Sequence, residues 1–144
     1  MIMAEEQKDL KDLLLKDLCG RLPYGVKVQT TYINPQTKER KDIGTDVLST
    51  VEISMLIDGY EEHKPYLFPL TSMTEEHIFE INNILGKDFE IDKYGITDLI
   101  RNRRTCLSYL ELDVLFEYFN KYHFDYRGLI PMGLANDCTN LNIY

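Results

Sequence analysis

Within five residues the chain gathers an imidazole, a carboxylate and a guanidinium: His123, Asp125 and Arg127, in His123-Phe124-Asp125-Tyr126-Arg127. Three such groups could orient one another at a cleft and serve acid–base chemistry, with the imidazole as the proton carrier. The same residues have a purely local reading. His123 would end a helix, where positive charge is favoured, Asp125 would cap the next helix, and Arg127 would pair with an acidic neighbour. Local caps account for these residue types without any substrate, so no catalytic residue is assigned.

Other chemistries find less support. Cys106 precedes an expected helix start and follows Arg101, Arg103 and Arg104, surroundings that lower a thiol pKa; a small half-buried cysteine would look the same. Asp88, Glu90 and Asp92 alternate like the opening of a calcium loop, but Lys93 stands where that loop needs Gly and Leu99 where it needs a bidentate Glu. His63, His77 and His123 have no zinc-like spacing with the three cysteines. Neither a metal nor a cofactor is expected, and the eight glycines are dispersed rather than gathered in a phosphate loop. Arg101, Arg103 and Arg104 form a basic patch, read as ion pairs answering Asp98, Glu111 or Asp113 rather than as a phosphate groove.

The strongest compositional signal is aromatic. Nearly half of the ten Tyr and six Phe lie between Tyr109 and Tyr126. Leu112, Leu115, Phe116 and Phe119 recur at helical spacing and read as core. Tyr109, Tyr118, Tyr122 and Tyr126 cannot all turn inward with them. They are candidates for a protein interface or for the rim of the core, both of which suit a ring with a hydroxyl.

The elements that carry these residues can be read from periodicity. Leu10, Leu14 and Leu18, with Leu13 beside them, predict an N-terminal amphipathic helix capped at Gly20 and stopped by Pro23. Alternation predicts a strand over Val26–Tyr32, then a turn at Asn34-Pro35-Gln36-Thr37 and a solvated arm or loop over Lys38–Asp42. Val47, Val51, Ile53, Met55 and Ile57 keep period-two register and predict a further strand, turning at Asp58-Gly59 into an antiparallel return over Tyr60–Lys64. Pro65 and Pro69 mark Tyr66-Leu67-Phe68 as an edge or connector. Ser72 to Glu75 reads as a capping box before a helix burying Ile78, Ile81 and Leu85 and ending at Gly86. A strand or loop at Phe89 and Ile91 and a helical turn at Ile96 to Ile100 follow. Ser108 and Glu111 form a second capping box, and Asp125 opens a last short helix to Met132, stopped by Gly133.

These elements predict an α+β fold in one domain spanning 1–144. Residues 1–70 hold a helix and a small antiparallel sheet, or a small barrel of the same strands. Residues 71–135 supply helices packed on it, and 136–144 form a loose polar tail. A length of 144 residues and 44% hydrophobic content suffice for one core. No apolar run is long enough for a membrane span, and the charged N-terminal stretch does not resemble a signal peptide. An odd count of three cysteines fits reduced thiols in a cytoplasm. The net charge of −8 opposes broad nucleic-acid binding.

Three blocks occur in order: Leu18-Cys19-Gly20-Arg21-Leu22-Pro23-Tyr24-Gly25-Val26, Lys64-Pro65-Tyr66-Leu67-Phe68-Pro69-Leu70-Thr71-Ser72-Met73-Thr74-Glu75-Glu76, and His123-Phe124-Asp125-Tyr126-Arg127-Gly128-Leu129-Ile130-Pro131-Met132-Gly133-Leu134-Ala135. In these blocks the chain resembles a group of small uncharacterised proteins encoded by gut Bacteroides genomes and their phages or prophages. It departs from them at Phe68, where Arg is usual, and in lacking a Trp before His123. The resemblance implies an accessory protein in the host cytoplasm and carries over no activity or site residue. With no catalytic pattern, the expectation is a non-catalytic protein that binds an unidentified protein partner or a second copy of itself. The alternative is an enzyme or small-ligand-binding domain using His123, Asp125 and Arg127.

Overall fold

The computed structural model describes residues 4–85 and 109–144. The expectations for Gly86, Phe89, Ile91, Ile96–Ile100, Cys106 and Ser108, the acids Asp88, Glu90 and Asp92, and the basic patch Arg101, Arg103 and Arg104 lie outside the described residues.

The fold is α+β, with the expected helix at its N-terminus, and its sheet is open rather than closed into a barrel. Helix α1 spans Ala4–Arg21 and buries Leu14 and Leu18, as its leucine spacing dictates. Gly20 does not cap it. The helix runs on through Arg21 into a 3-10 turn, Leu22–Tyr24, and the left-handed residue is Gly25 at φ 69°. Gly20 instead faces Asn120, whose side-chain amide nitrogen would lie 3.3 Å from an added Cβ.

Strand β1, Lys27–Ile33, buries Val28 and Thr30 and pairs with β2, Arg40–Val47, across a bulge between Thr30 and Thr31. All eight residues of β2 are exposed, so the charged arm forms an edge strand. Asn34 organises the intervening turn, its side-chain oxygen accepting the N–H groups of Gln36 and Thr37.

The predicted strand over Val47–Ile57 is corrected: Thr50–Asp58 is a helix, α2. Ser49 accepts from Val51 N–H at 3.3 Å, and Glu52 accepts from the Ser49 N–H at 3.0 Å. Gly59, at φ 82°, closes the helix where a hairpin turn was expected. The alternating β-branched residues are overridden by these caps and by burial of Leu56, with Ile53 one turn away.

Strand β3, Glu61–Pro69, is corrected from edge to hub. It pairs antiparallel with β1, and parallel with β4, Phe124–Asp125, and with β5, Asn136–Asp137. The Ile33 N–H bonds the Tyr60 carbonyl, so by alternation Thr31 and Gln29 face β3 while Val28 does not. Pro65 lies opposite Val28 and lacks a donor where none is required.

Helix α3, Glu75–Leu85, buries Ile81, but its cap is Thr74 rather than Ser72. Thr74 accepts from the His77 N–H, and His77 Nδ1 accepts from the Thr74 N–H at 3.1 Å. Ser72 Oγ donates to the Pro69 carbonyl instead. Helix α4, Tyr109–Lys121, buries Leu115 and Phe119, with Phe116 partly buried beside them. No helix follows Asp125: residues 126–135 are turns, and Gly133 adopts φ 75° within them.

Two apolar clusters result. One joins α1, β1, α2 and β3 through Leu18, Val28, Leu56 and Leu67; the other joins α3, α4 and β4 through Ile81, Phe119 and Phe124. The tail over 136–144 is docked rather than loose. Cys138 N–H bonds the Leu67 carbonyl, and the Tyr144 hydroxyl accepts from Lys27 N–H at 2.8 Å while donating to the Tyr66 carbonyl at 2.9 Å.

Candidate functional site

His123 leaves the end of α4 with φ 64°, a left-handed conformation that turns the chain into β4. It does end a helix, as the local reading expects, but not as a cation. Burial first, then the charges of Arg21 and Lys27, push its pKa down to about 4, so the ring is neutral near pH 7. The imidazole stacks on Tyr144, and its Nδ1 is buried without a hydrogen-bond partner.

Asp125 and Arg127 point elsewhere. The buried Asp125 carboxylate accepts the N–H groups of Leu129 and Ile130, at 2.8 and 2.9 Å, and so shapes a turn where a helix was expected. Arg127 Nε donates to Asp17 Oδ1 at 3.1 Å, while Arg21 Nε donates to the other oxygen, Asp17 Oδ2, at 2.7 Å. The Tyr126 ring lies near both guanidinium groups, 5.3 Å from that of Arg21 and 5.0 Å from that of Arg127. Among the described residues no hydrogen bond or ion pair links His123, Asp125 and Arg127 to one another, so the expected acid–base trio is not assembled.

The four candidate interface tyrosines separate as well. Tyr109 is 93% exposed. Tyr122 is 36% exposed, with the Lys121 ammonium 5.5 Å from its ring centroid. Tyr118 is buried and donates to Glu80 at 2.7 Å, with burial the first cause of its raised pKa. Tyr126 packs on Phe116 and Phe119. Tyr118 and Tyr126 are therefore core and rim, while Tyr109 and Tyr122 remain available.

A cleft of about 460 Å³ opens beside His123, between the end of α4, the start of α3 and Tyr144. Phe68, Phe124, Tyr122 and Tyr144 supply aromatic walls, and His77, Lys121 and His123 supply nitrogen. His77 packs edge-on to Phe124, ring centroids 5.0 Å apart. Because its Nδ1 accepts the Thr74 N–H, its proton must sit on Nε2, which makes that nitrogen a donor. Lys121 makes no ion pair among the described residues. His77 went unnoticed in the sequence as a site residue; its spacing from Thr74, three residues, is the capping-box signal that could have fixed its orientation.

A second hollow, of about 490 Å³, lies between α1, α2 and β3 and includes His63. Several of its polar groups are already engaged: Lys11 with the Ile57 carbonyl, Arg40 with Glu62, and His63 Nδ1 with Thr30 Oγ1 at 3.0 Å. His63 Nε2 lies 3.2 Å from Glu61 Oε2, off the line a hydrogen bond requires. His63 is fully buried, and burial lowers its pKa, so it belongs to the core.

Among the described residues no group of three or more His, Cys, Asp and Glu side chains could hold a metal ion, and no helix is long and apolar enough to cross a membrane. Compared with protein-family models, curated proteins and solved structures, the chain matches none.

Proposed function

We propose that the chain is a non-catalytic accessory protein of phage or prophage origin that works by protein contact in the host cytoplasm. One observation carries the contact reading: four large apolar side chains on the α3–α4 pair are more than half exposed. They are Phe79 at 66% and Ile84 at 53% on α3, and Tyr109 at 93% and Leu110 at 74% on α4. Aromatic side chains such as Phe79 and Tyr109 are of the type enriched at protein interfaces. The net charge of −8 favours a basic protein partner over nucleic acid. The commitment of His123, Asp125 and Arg127 to separate partners weighs against an enzyme built on the three.

The test is retention of a partner from host lysate by the tagged protein, beside sedimentation of the purified chain alone. A specific partner, or a second copy, that is lost with Tyr109→Ala and Leu110→Ser in a chain of unchanged melting midpoint supports the reading. A monomer that retains nothing specific at low salt sinks it. A melting midpoint lowered by these substitutions would instead assign the side chains to the protein's own core.

A further inference from the structure

The cleft beside His123 has features that a core rim or a protein-contact surface does not need. Its walls are rings on several sides: Phe68 from β3, Phe124 from β4, Tyr122 beyond the end of α4, and Tyr144. Flat walls of this kind favour a flat occupant, because offset stacking and edge contacts both reward a ring placed among rings. A volume of about 460 Å³ lies in the range of small-molecule sites.

The polar groups define the occupant further. His77 presents Nε2–H as a donor, its tautomer fixed by the Thr74 backbone. Lys121 contributes an ammonium with no ion pair among the described residues. Asp17 carries one negative charge between the buried Arg21 and the partly exposed Arg127, so these three groups are net positive by one charge. Lys27 adds a cation at Tyr144, 5.8 Å from the ring centroid. His123 itself holds an unpartnered buried Nδ1 and a left-handed backbone, features that cluster at functional sites.

We propose that this cleft binds a small planar aromatic anion, its ring among Phe68, Phe124, Tyr122 and Tyr144 and its carboxylate or phosphate against Lys121 and His77 Nε2–H. The site is independent of the α3–α4 contact surface, so either proposal can fail alone. A nucleotide and an aromatic acid share this chemistry, and the probes separate them.

Calorimetric titrations of the full chain would use AMP and indole-3-carboxylate, with adenosine and indole-3-carboxamide as uncharged counterparts. At least one anion is expected to bind with Kd below ~1 mM, and at least tenfold more tightly than its uncharged counterpart. Lys121→Gln should weaken the anion roughly tenfold while leaving the uncharged ring unchanged, as loss of a charge-assisted hydrogen bond predicts. Tyr122→Leu should weaken both. Binding of AMP alone would identify a nucleotide site, and binding of indole-3-carboxylate alone an aromatic-acid site. If neither anion binds, if the uncharged rings bind equally well, or if Lys121→Gln leaves the anion's Kd unchanged in a folded protein, the proposal is overturned.

Discussion

The imidazole of His123 lies face to face with the Tyr144 ring, centroids 3.8 Å apart and planes 10° from parallel. This stack ties the end of α4 to the segment that β5 leads into. The Tyr144 hydroxyl then reaches the sheet at Lys27 and Tyr66. One side chain thus joins three parts of the fold.

Tyr144→Ala should destabilise the protein by about 2–3 kcal/mol, summing an aromatic pair and two modest hydrogen bonds. Tyr144→Phe, which keeps the stack, should cost about half as much on the same reckoning. Urea midpoints of the two variants check the order, and equal losses would show that the ring contributes nothing.

Asp17 is fully buried and shared by two arginines, of which Arg21 is itself fully buried. Asp17→Asn leaves two cations without their counter-charge and should cost about 3–5 kcal/mol. Arg127→Gln, at a partly exposed position, should cost much less. Thermal unfolding of both, with the double variant, would measure the coupling; independent effects would contradict the shared-carboxylate reading.

Stability should fall as pH drops from 7 to 5. The His123 pKa is down at about 4 in the folded chain, so between roughly pH 6.5 and 4 the unfolded chain takes up the proton and the native one does not. The stabilisation is complete above the unfolded value and is lost toward the folded one. His63, also lowered, acts in the same direction. His123→Asn, which tolerates positive φ, should flatten this slope by on the order of 1 kcal/mol across the window, after discounting for partial exposure. Denaturation at pH 7 and pH 5 reads it out.

Ser49→Ala should cost about 1 kcal/mol by removing the cap of α2, with a matching loss of helical circular dichroism. A strand over Val47–Ile57 would make the same substitution nearly neutral. The comparison therefore decides between the periodicity of the segment and its caps.

That segment also shows what was legible. α1, β1, α3 and α4 could be read from spacing because each has one buried and one exposed face. Over Val51–Ile57 the apolar residues alternate, and period two suggested a strand, while the Ser49–Glu52 box identified the helix. β3 was misread because its two prolines lie where the ladder needs no donor, a fact set by register and not by local sequence. The trio at 123–127 was visible as residue types, but Asp17 draws Arg127 away over 110 positions. His77 and Tyr144, which shape the cleft, reach it only through tertiary packing.

Several clasps of this fold join positions far apart in the chain. Arg21 to Phe124 spans 103 residues, Asp17 to Arg127 spans 110, and Lys27 to Tyr144 spans 117. Each such loop must close before its contact gives any return, whereas the β1–β2 hairpin and the caps of α2 form locally. The hairpin and α2 should therefore order early, with the long-range clasps arriving last. Slow refolding and an early loss of amide protection at Leu67 and Phe68 partners would be two faces of the same wiring, in which the sheet's parallel half is the last part to assemble and the first to open.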